Sequence, residues 1–362
     1  MYQQRLQNVL SKMKEQNLTQ LLVSEPSSIQ YLIGTRIEPG ERFMVLLLFT
    51  SPEKEPLLFL HRLFPVTPTG VGIIGFSDAD DYLGMVARET DPHLPLGIDK
   101  HLFAGFLIGL MERRAASAYL NGSPCVDMVR AIKTEDELQK LRIASQLNDQ
   151  TMEIAKNSLR LGMTEKELEK IILDTYQALG ADDISFPPIV AFGENAADPH
   201  HENSNRPLTA GDMVLLDIGC KKDDYCSDMT RTFFTAEPTA EQRRVYELVR
   251  QANQNAEAFI HVGARLCEID EAARSVIRDG GHDKEFTHRL GHFIGIDTHE
   301  YGDVSAAYDW PVQPGMVFSI EPGIYLEGNF GVRIEDLVIV TENGCEVINH
   351  VAKEITIVPV SS

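Results

Sequence analysis

Several things are missing from this 362-residue sequence, and each absence excludes something. Basic residues are in the minority, 33 Lys and Arg against 54 Asp and Glu, for a formal net charge of −21. Phosphate backbones are held by clustered Lys and Arg, so a nucleic-acid partner is not expected. Cysteine is sparse and odd in number (Cys125, Cys220, Cys226, Cys267, Cys345), with no CxxC, which points to reduced thiols rather than a disulfide framework. The first residues, MYQQRLQNVLSKMKEQ, lack the apolar stretch of a signal peptide. No uninterrupted apolar run reaches the roughly 18 residues of a membrane span. The expectation is a cytoplasmic chain with no membrane partner. HEXXH is absent, as are low-complexity segments and any clear short-period repeat.

What is present is the composition of a globular protein, 43% hydrophobic and 24% charged, long enough for one large or two ordinary domains. Leu6, Val9, Leu10 and Met13 recur at helical spacing. QLLVS reads as a buried strand, SSIQYLIG as a helix or turn closed by Gly34, and RFMVLLLFT with PLLFLH as a hairpin; PLGIDK is a further strand candidate. This first part carries no cluster of chemistry, and its one functional candidate is the loop Ile37–Arg42, whose Glu41 and Arg42 could reach a neighbouring site. A boundary falls near residues 124–136, giving an accessory α/β domain over 1–128 and a second domain over 129–362. Three capping boxes then open helices: Thr134 with Glu137, Thr164 with Glu167, and Thr239 with Gln242. Gly162 is expected to end the first and Gly180 the second. The helices alternate with strand-like SFPPIVAFG, MVLLDIGC, TRTFFT and MVFSIEPGIY. The expected fold class is α+β, a curved, mainly antiparallel sheet with helices packed on one face.

The chemistry is concentrated between Asp217 and Glu335. Asp217 ends an apolar strand, and Asp228 follows after the polar stretch KKDDYCS; if that stretch turns, both carboxylates face one pocket. Glu321 in MVFSIEPG and Glu335 in VRIEDLVIV repeat the pattern, with LEGNFG as the turn. A charge inside such runs costs free energy unless it is paired or ligated. Arg333, two residues before Glu335, is expected on the same strand face. His292 lies in LGHFIG, four residues after His288 and seven before His299, while His200 and His201 sit in a polar loop. Asp217, Asp228, His292, Glu321 and Glu335 are the candidate ligands; four carboxylates and one imidazole suit two adjacent divalent ions.

The motifs LLDIG, SDMTRT, GHFIGIDTHE, EPGIY and VRIED, in that order, resemble the metallopeptidases of the pita-bread fold, which include methionine aminopeptidase, aminopeptidase P and prolidase. The resemblance extends over the whole chain, with IQYLIG in a part similar to the family's creatinase-like N-terminal domain. EPGIY and the extra domain point to the Xaa-Pro-cleaving branch. Carried over position by position, the resemblance implies that Asp217 chelates one metal, Asp228 and Glu335 bridge the pair, and His292 and Glu321 complete the second. It implies that Glu321 also accepts the proton of the attacking water, and that His200 and His299 contact the substrate and its tetrahedral intermediate. His288 matches a further active-site histidine of the proline-specific members; Tyr325 and Arg333 match their substrate contacts or partners of the ligands. His201 follows no rule of the family. The metal expected is Mn2+, with Co2+ or Zn2+ as alternatives, and a homodimer is implied by the resemblance alone. The activity implied is a prolidase acting on Xaa-Pro dipeptides; the alternatives are an aminopeptidase P-like enzyme acting on longer proline-containing peptides, and a non-catalytic peptide-binding module. Retention of all five ligands argues against the last.

Overall fold

The computed structural model describes residues 1–360. The chain divides into two compact units, Met1–Arg130 and the remainder from Ala131. Among the described residues no helix is long and apolar enough to cross a membrane.

The first unit is built on a six-stranded mixed sheet, in spatial order Gly72–Phe76, Leu57–His61, Met44–Phe49, Gln20–Val23, Pro95–Ile98 and Ala118–Asn121. Its two central strands, QLLV and MVLLLF, are buried at every position, which explains why they read as continuous apolar runs rather than alternating ones. The expected hairpin is present, with Met44–Phe49 antiparallel to Leu57–His61. SSIQYLI is helical within Pro26–Ile33, and Gly34 closes that helix at φ 78°. In the Ile37–Arg42 loop, Arg42 pairs with Asp78 of the same unit.

The second unit repeats one succession twice: two helices, then antiparallel strands. Helices Glu135–Asn157 and Glu165–Leu179 precede the sheet of Ile189–Phe192, Met213–Ile218 and Met229–Phe234. Helices Ala240–Phe259 and Leu266–Asp279 precede the five-stranded sheet in which Gly291–Phe293, Val317–Ile320 and Asp336–Thr341 are neighbours. All these strand pairs are antiparallel. Each helix pair shares a core with its own sheet: Met152, Leu168 and Ile172 with Val214, Leu216 and Ile218 in the first half, and Val245, Val249 and Ile269 with Phe318, Ile320 and Val338 in the second.

The strand period of two then decides where the acids go. Val214, Leu216 and Ile218 take the helix side of their strand, so Asp217 takes the other. Phe318 and Ile320 take the helix side of theirs, so Ser319 takes the other, and its Oγ donates to Glu321 Oε1 at 3.1 Å just past the strand end.

Helix starts follow the capping signals. Glu137 accepts from the Thr134 N–H at 2.8 Å, and Thr164/Glu167 and Thr239/Gln242 close their boxes reciprocally. The ends differ from expectation in one place. The first helix stops at Asn157 with Ser158 as its cap, ahead of Gly162, which takes φ 79° in the following turn. Gly180 does end the second helix, at φ 82°. The helix Leu266–Asp279 is additional to those expected, although Leu266, Ile269, Ala273 and Ile277 are buried at helical spacing. Thr239→Ala should lower stability by about 1 kcal/mol, seen as a lower denaturant midpoint with an unchanged m-value.

Candidate metal centre

Two short connections bring the four acids together. Asp217 is the fifth residue of Met213–Ile218 and lies opposite Thr230 in the antiparallel pair. Between them the chain reverses through the small hairpin Cys220–Lys222/Tyr225–Cys226, whose turn residues Asp223 and Asp224 both have positive φ, 47° and 71°. Two left-handed residues in a two-residue turn match the right-handed twist of the flanking strands, and short Asp side chains tolerate it. Asp228 is delivered one residue before Met229–Phe234. In the other half, Glu321 follows Val317–Ile320 and Glu335 precedes Asp336–Thr341, one step beyond the Ile320–Asp336 register pair. The LEGNFG turn lies between them as expected, at the tip of the hairpin Gly323–Leu326/Phe330–Arg333.

Arg333 does not share a strand with Glu335, contrary to expectation. The hairpin strand ends at Arg333, and Ile334 and Glu335 link it to the next strand. The Arg333 guanidinium instead donates to Asp217 Oδ2 at 2.7 Å and to Thr230 Oγ1 at 3.0 Å, and Thr230 Oγ1 donates to Glu335 Oε2 at 2.7 Å. One buried arginine therefore ties the acids of both halves.

His292 sits in the middle of a strand, not on a helix with His288. The strand passes so close to Val317–Ile320 that a Cβ on Gly291 would lie 1.8 Å from the Ser319 carbonyl oxygen, so only glycine fits. His292 Nδ1 has the Phe293 carbonyl as its partner at 3.2 Å, and a carbonyl only accepts. The hydrogen therefore belongs on Nδ1, leaving the Nε2 lone pair facing Asp228 Oδ2 at 3.5 Å and Glu321 Oε1 at 3.6 Å. Burial holds this imidazole below its usual range, hence neutral.

Without a cation this arrangement is unfavourable. Burial pushes Asp228 and Glu335 well above the usual carboxylate range, and the neighbouring carboxylates push them further. Glu321 is raised to about 7, chiefly by burial, with Asp228 and Asp217 adding to it against His292 and Arg333. Asp217 Oδ1 is buried and accepts no hydrogen bond. Ligand atoms of Asp228, His292 and Glu335 all lie within 4.8 Å of one another. Oxygen donors with one neutral imidazole, lone pairs converging and one acceptor orphaned, fit a hard divalent cation.

All five proposed ligands line one cavity of about 650 Å³, together with His200, His288, His299 and Arg333. That volume is in the range of small-ligand sites, about 300–1,000 Å³. Burial lowers His288 and His299 to about 4, aided by Arg333 and His292 respectively. The His299 ring packs on His292 with centroids 4.2 Å apart. Tyr325 is not on the cavity wall; its hydroxyl bonds His288 Nε2 at 2.9 Å and accepts from Arg333 Nη1 at 2.9 Å. His201 also stays off the wall, against Glu165. The sequence reading missed Phe186, Pro187, Ile189 and Arg289 on the wall and Thr230 behind it. Thr230 had a faint signal, a hydroxyl in the buried strand MTRTFF, whereas nothing local marks the others.

Comparison with known proteins agrees with this chemistry. Residues 139–342 match the family description "Metallopeptidase family M24", and residues 5–132 match "Creatinase/Prolidase N-terminal domain". A Staphylococcus aureus (strain MSSA476) protein described as an uncharacterized peptidase is 33% identical over 359 residues, covering 96% of this chain and 99% of its own. Among solved structures, a prolidase from Thermococcus sibiricus superposes with a TM-score of 0.91 at 30% identity, over 100% of this chain and 99% of its own. A dipeptidase from Mycobacterium ulcerans gives 0.93 at 32% identity, over 99% and 98%. A Xaa-Pro dipeptidase from Bacillus anthracis gives 0.88 at 29% identity, over 98% and 99%.

Thr230→Val keeps the side-chain shape but removes the hydroxyl that joins Arg333 to Glu335. Its affinity for a divalent cation, with Mn2+ as the probe in titration calorimetry, should fall by roughly 10–100-fold, as for other lost partners of metal ligands, with the circular dichroism spectrum unchanged.

Proposed function

This chain belongs to metallopeptidase family M24, and from that premise we propose that it hydrolyses Xaa-Pro bonds, preferentially in dipeptides. In this reading two divalent cations would be held by Asp217, Asp228, His292, Glu321 and Glu335, with Asp228 and Glu335 serving both ions. A donor set dominated by carboxylate oxygen suits Mn2+. The observation that carries the reading is the convergence of these five side chains, each within or next to a different strand, on one cavity. The full-length likeness to prolidases and dipeptidases supports the substrate class.

When bound, such a pair supplies Lewis acidity and lowers the pKa of a bound water toward neutrality. The chain's own groups do the rest. Glu321, with Ser319 Oγ donating to its Oε1 at 3.1 Å, takes the proton from the attacking water. His200 and His299 contact the substrate at the carbonyl under attack, where hydrogen-bond donation stabilises developing negative charge. His288, on the cavity wall, is fixed by Tyr325 and by the Arg289 carbonyl, at 2.9 and 2.7 Å. Arg333 orients Asp217 and is a buried cation on the cavity wall, available to an anionic group of the substrate. Phe186, Pro187 and Ile189 give the wall an apolar section suited to a proline ring.

A purified sample given an Xaa-Pro dipeptide and an Xaa-Pro-Yaa tripeptide should cleave the dipeptide faster. Cleavage of the tripeptide alone would replace this reading with an aminopeptidase P-like one. Asp228→Ala and Glu335→Ala should each lose activity by at least about a thousandfold, because removing a shared carboxylate leaves like charges poorly screened; near-normal turnover contradicts the sharing. His299→Ala should bind Mn2+ normally by calorimetry yet turn over about a hundredfold more slowly; loss of metal binding instead would make His299 part of the ligand set.

A further inference from the structure

We propose that Glu165 and His201 form a clamp that fixes the loop carrying His200 over the cavity, so that both are positioning residues for the reaction; this rests on reading His200 as a substrate contact. Glu165 is the first residue of helix Glu165–Leu179, fully buried, and not on the cavity wall. A carboxylate in such a place needs a full set of donors. It has five. Oε1 accepts from the Phe192 N–H at 2.9 Å and from Asn195 Nδ2 at 2.8 Å. Oε2 accepts from the Ser204 N–H at 2.9 Å, Ser204 Oγ at 2.6 Å and His201 Nε2 at 2.8 Å. Burial alone would raise its pKa, yet the donors outweigh it and hold the group ionised.

The position of those donors gives the clamp its meaning. Phe192 and Asn195 enter the segment, and His201 and Ser204 leave it; His200 lies between. One carboxylate thus closes the loop on itself. Asn203 adds a second tie, accepting from the Val190 N–H and donating to the Pro188 carbonyl, both at 2.8 Å. His200 itself contributes little to its own placement. Its ring makes no hydrogen bond among the described residues, and its backbone N–H reaches only Asp198 Oδ1 at 2.9 Å. The location of that imidazole is inherited from the backbone, and the backbone is held by Glu165. Because His201 is the immediate neighbour, its bond to Glu165 sets where the His200 Cα can be.

The test compares His201→Leu, which removes the donor, with His201→Gln, which keeps an N–H within reach. In the metal-free protein, hydrogen exchange at backbone amides of residues 193–204 should accelerate in His201→Leu, stay near wild type in His201→Gln, and be unchanged elsewhere in both. In the Mn2+-loaded enzyme, kcat should fall roughly ten- to a hundredfold in His201→Leu, the scale of a misplaced catalytic contact, with KM within about twofold and recovery in His201→Gln. In a His200→Ala background, His201→Leu should add no further loss. Unaltered exchange overturns the clamp. A full additional loss in the His200→Ala background overturns its action through His200. If His200→Ala alone leaves turnover unchanged, the substrate-contact reading fails and the positioning role with it, while the exchange result still decides whether the clamp exists.

Discussion

Carboxylates buried against one another repel, and this repulsion governs the second unit of the protein. Asp228 and Glu335 are nearly inaccessible, and each is pushed toward protonation by burial and by the others. At an effective dielectric of about 20, two unit charges 4 Å apart interact by roughly 4 kcal/mol, the same order as much of a domain's net stability. Protonation or bound cations relieve that repulsion, and the surrounding scaffold must be rigid enough to hold the cluster together.

The rigidity comes from cations of the chain itself placed behind the acids. Arg333 faces the cavity and joins Asp217 to Thr230. Arg231, next to Thr230 and fully buried, points the opposite way: it donates to the Glu335 carbonyl at 2.6 Å, to Asp336 Oδ1 at 2.6 Å and to the Val351 carbonyl at 3.0 Å. Lys353 reaches the other oxygen of Asp336 at 2.7 Å, and Asn253 donates to the Ile320 carbonyl just before Glu321 at 3.0 Å. The main chain around Glu321 and Glu335 is therefore gripped from the helix side by fully hydrogen-bonded polar groups. A buried network of this kind adds little net stability, but breaking one partner leaves an uncompensated charge, so its geometry is sharply defined.

The same logic separates what the cavity needs held still from what it needs available. His292 spends Nδ1 on a carbonyl so that Nε2 stays free, and the Tyr325 hydroxyl fixes His288. His299 and His200 have no side-chain hydrogen bonds among the described residues and are placed by packing and by backbone. The groups that hold others in place are saturated, whereas the rings of His299 and His200 keep both nitrogens free of hydrogen bonds among the described residues. Arg289 was invisible beforehand, because a charged residue beside a histidine has no local feature that points it into a cavity.

Much of this was legible in the residues. An acid in an apolar strand is a local anomaly, and Asp217, Glu321 and Glu335 each stood out for that reason, as did the capping boxes and the unbroken apolar strands of the first unit. The helix Leu266–Asp279 was missed for want of a strong start signal, since Arg265 occupies its cap position. The shared strand face expected for Arg333 and Glu335 does not exist because strand-face arithmetic holds only while a strand continues, and this one ends at Arg333. The sequence by itself determined which side chains are costly to bury and which strands alternate, because both are properties of neighbouring residues. Only the tertiary structure decided that acids 118 positions apart share one cavity, that a carboxylate at a helix start grips the His200 loop, and which nitrogen of His292 faces inward. Those depend on groups distant along the chain, whose meeting is set by packing rather than by local pattern.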